Sequence, residues 1–363
     1  IFIKYFIFLI CSFLITSLSI PNVIKIGIKN GFIDKPSKRK KHNKDVVRIG
    51  GLSIALGFFI ANLVGIYFGV FEVESLNQVY IIIISSFCFF NLGFVEDIFR
   101  ISMISRLVFQ VLCSCLVWGA GFQIKMIDFS LLLPNSSLIS LPNIVSLLIT
   151  VIWIVGITNS FNWIDGLDGL SSGLAAISVI SFSILLISIN DSSISIMMAS
   201  ILGSCLGFLY FNFHPAKIFM GDGGSYLIGF LISLFSIHLH NSFLNIEFRQ
   251  ISLFWQCLVL FVPIVDMTYV FFSRIIEGKS PFYPDRRHLH YRLQRLGFGH
   301  LESVILCYLF TVIFSLIALM SAFEGYDSYF LYGIFIVVLI YSSLRYKKII
   351  FAFNKLYEKF KSK

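Results

Sequence analysis

Eleven stretches of this chain are apolar over lengths that can cross a lipid bilayer, and no other feature limits the fold as much. They lie near 1–20, 47–70, 78–95, 103–121, 143–158, 171–189, 194–212, 223–240, 251–272, 301–322 and 328–345. A span needs about 17–25 predominantly apolar residues. Within hydrocarbon no water satisfies the backbone N–H and C=O groups, so each span must be helical. The expected fold is all-α: a polytopic bundle of about 11 transmembrane helices forming one membrane-embedded domain over residues 1–363. Hydrophobic residues make up 57% of the chain and charged residues 13%, a balance that would cover a soluble domain with sticky patches. The first run has no small-residue cleavage site after it and is expected to remain as a span. All seven cysteines fall inside apolar runs, without disulfide-framework or zinc spacing, and read as small buried hydrophobes.

An odd number of spans puts the termini on opposite sides, and basic residues choose the sides. If the loop 21–46 is cytoplasmic, 25 of the 28 Lys and Arg residues lie on that side, leaving Lys4, Lys125 and Arg249 on the other. The N-terminus is therefore expected outside, in the periplasm, and the tail 346–363 in the cytoplasm. The net charge of +9 then reports topology and attraction to anionic lipid, and no nucleic acid is needed to explain it. On this assignment the segments rich in Asp, Asn, His and Arg all fall in inward connections, the longest being the basic loops 21–46 and 273–301.

Each cluster has a plain reading beside a chemical one. In "NSFNWIDGLDGL", Asn159, Asn162, Asp165 and Asp168 recur every third residue. On a helix, Asn162, Asp165 and Asp168 would share an arc of roughly 120° and converge their oxygens; otherwise they cap the next span from a turn. Gly166, Gly169 and Gly173 leave room for a ligand to approach the backbone. In "FHPAKIFMGDGGSYLIGF", Pro215 and Gly221 bracket Lys217 and Phe219, and Asp222 stands at a helix start, where it is an anion-site neighbour or simply an N-cap. Glu96 and Asp97 are adjacent carboxylates at the inner end of a span, suited to a general base or a metal neighbour, or merely solvated. In "GKSPFYPDRRHLHYRLQRLGF", Arg286, His288 and His290 share a face if extended and separate if helical. Zinc on the two histidines lacks further ligands nearby in sequence, and phosphate suits the Arg and His set better. His42 and Arg48, beside Gly50 and Gly51, belong mainly to a lipid-anchoring loop but could reach a ligand. Oxygen ligands beside phosphate-seeking cations suit magnesium, with Asn162 and Asp222 able to supply such oxygens.

In order along the chain, "GFIDKPSKRKKH", "RIGGLS", "GFVEDIFRIS", "NSFNWIDGLDGL", "AKIFMGDGGS" and "GKSPFYPDRRHLHYRLQRLGF" resemble the polyprenyl-phosphate N-acetylhexosamine-1-phosphate transferases. These are the initiating enzymes of O-antigen, enterobacterial common antigen and teichoic acid synthesis in bacteria. The resemblance implies a multi-pass enzyme of the bacterial inner membrane with its site on the cytoplasmic face. Its partners would be a UDP-N-acetylhexosamine and a polyprenyl phosphate, and a homodimer is compatible with it. It implies Mg²⁺, or Mn²⁺ in its place, on Asn162 and Asp222; Phe219 stacked on uracil with Asp165 and Asp168 in the nucleotide pocket; and Arg286, Arg287, His288 and His290 on the sugar-phosphate side. Lys217, Arg48 and His42 join the substrate-binding set, and Asp97, Glu96, His288 and His290 the catalytic one. Two departures stand out: the family usually has paired aspartates where this chain has Glu96-Asp97, and often a third histidine where it has Tyr291. The competing reading is a secondary transporter with a cytoplasm-facing anion site, which would need its polar groups within spans near the midplane. A catalytically dead scaffold is a third, resting on Glu96.

Overall fold

The computed structural model describes residues 1–34, 45–127, 139–244, 253–281 and 285–324. Within these, the chain forms helices α1 (Phe2–Asn30), α2 (Gly51–Tyr67), α3 (Leu76–Phe99), α4 (Met103–Gly119), α5 (Asn143–Ile164) and α6 (Leu170–Ser188). There follow α7 (Ser192–Asn212), α8 (Gly221–Leu244), α9 (Leu253–Val259), α10 (Phe261–Ile276), α11 (Leu289–Arg295) and α12 (His300–Glu324). Two antiparallel pairs of two-residue strands join loops: β1 (Ile33–Asp34) with β2 (Val46–Val47), and β3 (Met126–Ile127) with β4 (Ile139–Ser140).

The chain is a polytopic helical membrane protein, and the described residues hold part of the eleven expected spans. Among the described residues, seven helices are long and apolar enough to cross a membrane: α1, α3, α5, α6, α7, α8 and α12. An eighth crossing exists if the bent pair α9–α10 counts as one span. Helices α2 and α4 are apolar and shorter, with 17 residues each. The run at 328–345 and the tail 346–363 lie outside the described residues.

Local chemistry explains these departures. Between α9 and α10 the axis turns by 90°; Pro263, at the third position of α10, has no N–H for the carbonyl one turn back, so the helix cannot run through. Residues 46–50 are apolar enough to extend α2 backward, yet they stay outside it, with Val46 and Val47 in β2. Phe219 N–H donates to the Val47 carbonyl (2.8 Å), and Gly50 and Gly51 N–H donate to the carbonyls of Phe219 (2.9 Å) and Met220 (2.7 Å). The loop expected from residue 21 starts later, because α1 carries Pro21 inside it and ends at a left-handed Gly31. Likewise 273–301 is partly helical, holding the end of α10, all of α11 and the start of α12.

Helices α6, α7 and α8 form the centre of the bundle, with 78%, 78% and 83% of their spans buried against 28% for α1. Buried serines there return their O–H to the carbonyl of the preceding turn, as Ser200 does to Ile196 and Ser204 to Ser200. Their hydroxyls therefore cost the apolar core little. A stack of Phe89 on Phe230, with centroids 3.9 Å apart, fixes α3 against α8. That contact sets the relative position of the carboxylates at the ends of these two helices.

Candidate active site

The first turn of α8 is capped from another helix. Asp222 lies inside that turn, so the N-cap role considered for it is filled instead by Asp97 at the end of α3. Asp97 accepts the N–H groups of Asp222 (2.9 Å) and Gly223 (3.0 Å), one on each oxygen. This satisfies donors that a helix start leaves open. Arg48 then bridges the two carboxylates, with Nε 3.3 Å from Asp97 and Nη2 3.0 Å from Asp222. Burial works against the Arg48 charge, but Asp222 and Asp97 hold its pKa above the ordinary guanidinium value. On the far side of Asp222, Arg106 Nη1 reaches Asp222 and Glu96, both at 3.4 Å, and the Tyr226 hydroxyl at 3.2 Å.

A cavity of about 770 Å³ opens in front of this cluster. Of the residues singled out in the sequence, Arg48, Asn162, Asp165, Asp168, Phe219, Asp222 and Arg286 line it. The three-residue spacing gathers them, though not on one helix. Helix α5 ends at Ile164, and Asp165 to Gly169 form a turn that closes on a left-handed Gly169. Asp165 is pushed up to about 7, first by burial and then by the negative charge of Asp222, against the pull of Arg48, with Asp97 and Asp168 adding to the rise. Asp168 ties the turn to its surroundings: one carboxylate oxygen meets His214 Nδ1 (2.7 Å) and the Ala216 N–H (3.2 Å), while its own N–H donates to His300 Nε2 (3.1 Å).

The glycines of this turn do not all serve a ligand. A Cβ on Gly166 would meet His290 Nε2 at 2.5 Å, and one on Gly173 would strike the Tyr308 hydroxyl. At Gly173 the space belongs to a neighbouring ring of the protein. Gly166 lines the cavity but also makes room for His290 behind it.

The basic strip after Pro284 is fastened to α10. Arg274, buried in α10, grips both oxygens of Asp285 at 3.1 Å. Two turns earlier, buried Asp266 accepts His288 Nδ1–H at 2.7 Å and the Leu289 N–H, holding His288 as the residue before α11. The strip is thus helical from Leu289, yet the rings of His288 and His290 still lie parallel, 5.6 Å apart. His290 is sealed, and burial pushes it down to about 3, so it is a neutral imidazole rather than a cation facing phosphate. Neither histidine lines the large cavity. Arg287 turns to Glu277, Asp285 and the Ser273 carbonyl, and Lys217 stands exposed over the Phe211 ring; both are off the cavity wall. His42 lies outside the described residues.

Residues 79–240 match the glycosyl transferase family 4 pattern. The chain is 34% identical over 319 residues to a probable undecaprenyl-phosphate N-acetylglucosaminyl 1-phosphate transferase of Bacillus subtilis strain 168, covering 86% of this chain and 84% of that protein. The chain belongs to glycosyl transferase family 4. An undecaprenyl-phosphate alpha-N-acetylglucosaminyl 1-phosphate transferase of Haemophilus influenzae is 31% identical over 86% of this chain and 85% of its own length. A decaprenyl-phosphate N-acetylglucosaminephosphotransferase of Mycobacterium leprae is 29% identical, over 76% and 73% respectively. The resemblance drawn from the six motifs holds.

For this family 4 member, the donor set fits a hard divalent cation. Asn162 and Asp222 both border the cavity, and the Asn162 amide donates to the Ser225 hydroxyl (2.9 Å), which leaves its oxygen as the group available to a ligand. Burial raises the Asp165 pKa most, and the neighbouring Asp222 charge, which a cation would offset, raises it next. Sequence reasoning missed Arg106, His214, Asp266 and His300. Asp266 is a lone carboxylate in an apolar run, and a buried ionisable group in a span was the available signal. His214 and His300 were readable only as members of quoted or flanking motifs, because their common partner Asp168 is far away in sequence.

Proposed function

We propose that the chain transfers an N-acetylhexosamine-1-phosphate from a UDP-sugar to a polyprenyl phosphate, releasing UMP, at the cytoplasmic face of a bacterial membrane. The observation that carries this reading is the convergence of Arg48, Asn162, Asp165, Asp168, Phe219, Asp222 and Arg286 on one cavity, at helix ends rather than at mid-span. The names of the relatives support it, since each describes a polyprenyl-phosphate phospho-N-acetylglucosamine transfer. Helix-end placement is the opposite of what a transporter's midplane site requires.

An oxygen of the acceptor phosphate attacks the phosphorus that bears the sugar. The bond from that phosphorus to the bridging oxygen breaks, and UMP leaves with the electron pair. One phosphoanhydride replaces another, so the protein's work is to align two anions and offset their repulsion. Phe219 offers its ring to the uracil, and Arg48 and Arg286 face the negative groups. Asp97 acts through position: by capping α8 it holds Asp222 in place. Mg²⁺, with Mn²⁺ as the substitute, would be held by Asn162 and Asp222 and would supply charge neutralisation at the diphosphate. The test is incubation of purified protein with labelled UDP-N-acetylhexosamines, polyprenyl phosphate and Mg²⁺. A lipid-linked sugar phosphate with matching UMP release is expected, and no such product from any UDP-N-acetylhexosamine would sink the reading.

A further inference from the structure

Three wall segments of the large cavity meet at one side-chain cluster. Asp168 in the turn after α5, His214 in the loop after α7 and His300 at the start of α12 each offer a donor atom, and the three atoms lie within 4.8 Å of one another. In sequence the two histidines stand 46 and 132 residues from the aspartate. Only the fold brings them together.

The spacing is that of ligands around a metal. Asp168 Oδ2 is 2.7 Å from His214 Nδ1 and 3.8 Å from His300 Nε2. Zinc bonds of about 2.0–2.2 Å at the tetrahedral angle set donors roughly 3.3 Å apart, and the two measured edges straddle that value. The imidazole rings already lie side by side, with centroids 4.2 Å apart. Protonation suits the role as well. The Asp168 N–H donates to His300 Nε2 at 3.1 Å, so that nitrogen carries a lone pair rather than a proton, as a metal ligand must. At His214 a metal takes the place of the proton shared with the carboxylate. The Ala216 N–H holds the same carboxylate oxygen at 3.2 Å, the kind of supporting partner that fixes a ligating group in place.

An ion can reach these atoms, because all three residues line the cavity and their side chains are 16%, 41% and 23% exposed in chain order. Two imidazoles and a carboxylate suit zinc, whereas Asn162 and Asp222 offer oxygen alone, as magnesium prefers. The two sets share no residue. Among the described residues, every hydrogen bond and ion pair of the Asp168 carboxylate uses Oδ2, so Oδ1 remains for the nucleotide side. Three protein ligands leave a fourth tetrahedral position to water, the pattern of an open rather than a sealed site. We propose that Asp168, His214 and His300 bind an exchangeable Zn²⁺ ion, which clips the α5–α6 turn, the α7–α8 loop and the start of α12 into one cavity wall.

Calorimetry with Zn²⁺ on tag-free protein, in buffer holding saturating Mg²⁺, reads the site without turnover. One ion per chain should bind. His214→Ala and His300→Ala should each weaken binding by at least about tenfold, the least that loss of even a supporting partner costs. Asp222→Asn removes an oxygen from the other set and should bind Zn²⁺ within about twofold of wild type. Two further readouts need wild type alone. Co²⁺ in place of Zn²⁺ should give the intense visible absorption of a four-coordinate ion, and Zn²⁺ at about 100 times its Kd should raise Tm by at least about 2 °C, reversed by EDTA.

No Zn²⁺ binding in the presence of Mg²⁺, unchanged binding in either histidine variant, or an equal loss in Asp222→Asn overturns the site. A weak, six-coordinate Co²⁺ spectrum does the same. An unmoved Tm at saturating Zn²⁺ overturns the clip. A protein that binds Zn²⁺ in this way yet makes no lipid-linked sugar defeats the transferase reading and leaves the metal site standing.

Discussion

Replacing Gly93 with alanine should disable the site without touching any group that contacts substrate. Gly93 is where α3 passes the first turn of α8. A Cβ there would lie 2.5 Å from the Asp222 carbonyl carbon and 2.6 Å from the Gly223 nitrogen, and closer still to the Asp222 carbonyl oxygen. Ordinary contact begins near 3.4 Å, so the two backbones must part by about 1 Å, and neither can yield as a flexible side chain would. Overpacking of this kind costs about 1–3 kcal/mol of stability, which a bundle of this size survives. The larger effect is on geometry. Asp97 sits one turn beyond Gly93 and holds the Asp222 and Gly223 N–H groups at 2.9 and 3.0 Å. A 1 Å separation would carry these past hydrogen-bonding range and move Asp222 relative to Asn162. Misplacement on that scale costs on the order of 10²-fold in rate. The assay is initial-rate formation of lipid-linked sugar at saturating Mg²⁺, with Gly119→Ala as the control, since nothing lies within 4 Å of a Cβ there. Gly93→Ala should lose about 10²-fold in kcat/KM while eluting as a monodisperse, folded protein. Turnover within threefold of wild type would refute the claim that the α3–α8 contact sets the carboxylate geometry.

Three further outcomes follow. Asp222→Asn should abolish turnover while the variant stays folded, as judged by thermal unfolding, and near wild-type rates at normal Mg²⁺ would contradict its role. Phe219→Ala should weaken UMP binding by calorimetry by about 1–3 kcal/mol, the usual worth of stacking a base on an aromatic ring; unchanged affinity removes the ring from the nucleotide pocket. Asp165 has a folded-state pKa of about 7 against roughly 3.9 in an unfolded chain. Its contribution to stability is therefore full below about pH 4 and lost as pH rises through 7. In metal-free buffer, wild-type Tm should fall between pH 5 and 8 more steeply than that of Asp165→Asn, and added Mg²⁺ should flatten the wild-type curve. Parallel slopes would show that the Asp165 carboxyl carries no such strain.

Much of the site was legible because its residues come in short local motifs. Asn162, Asp165 and Asp168 announce themselves within seven positions, and Phe219 and Asp222 within four. Their convergence could not be read in the same way, because it depends on α3 meeting α8 and on the segment 47–51 meeting 218–220. Apolar composition alone would start α2 near residue 47 and run a straight helix through 251–272. Hydrogen bonding to the Phe219 loop overrides it in the first case and Pro263 in the second. Arg106 escaped notice as one of many positive-inside cations, and Asp266 because one carboxylate in an apolar run has no partner visible nearby in sequence.

The cavity wall is drawn from segments that stretch from Asp34 to His300. At about 5–20 residues per second, a ribosome needs on the order of ten seconds to a minute to make that stretch. Throughout that interval the early carboxylates and guanidiniums exist in the membrane without their later partners. The cavity wall is consequently incomplete until α11 and the beginning of α12 have emerged and docked. A chain stalled before residue 285 would lack the part of the wall formed by Arg286, Tyr291, Gln294, Arg295 and His300.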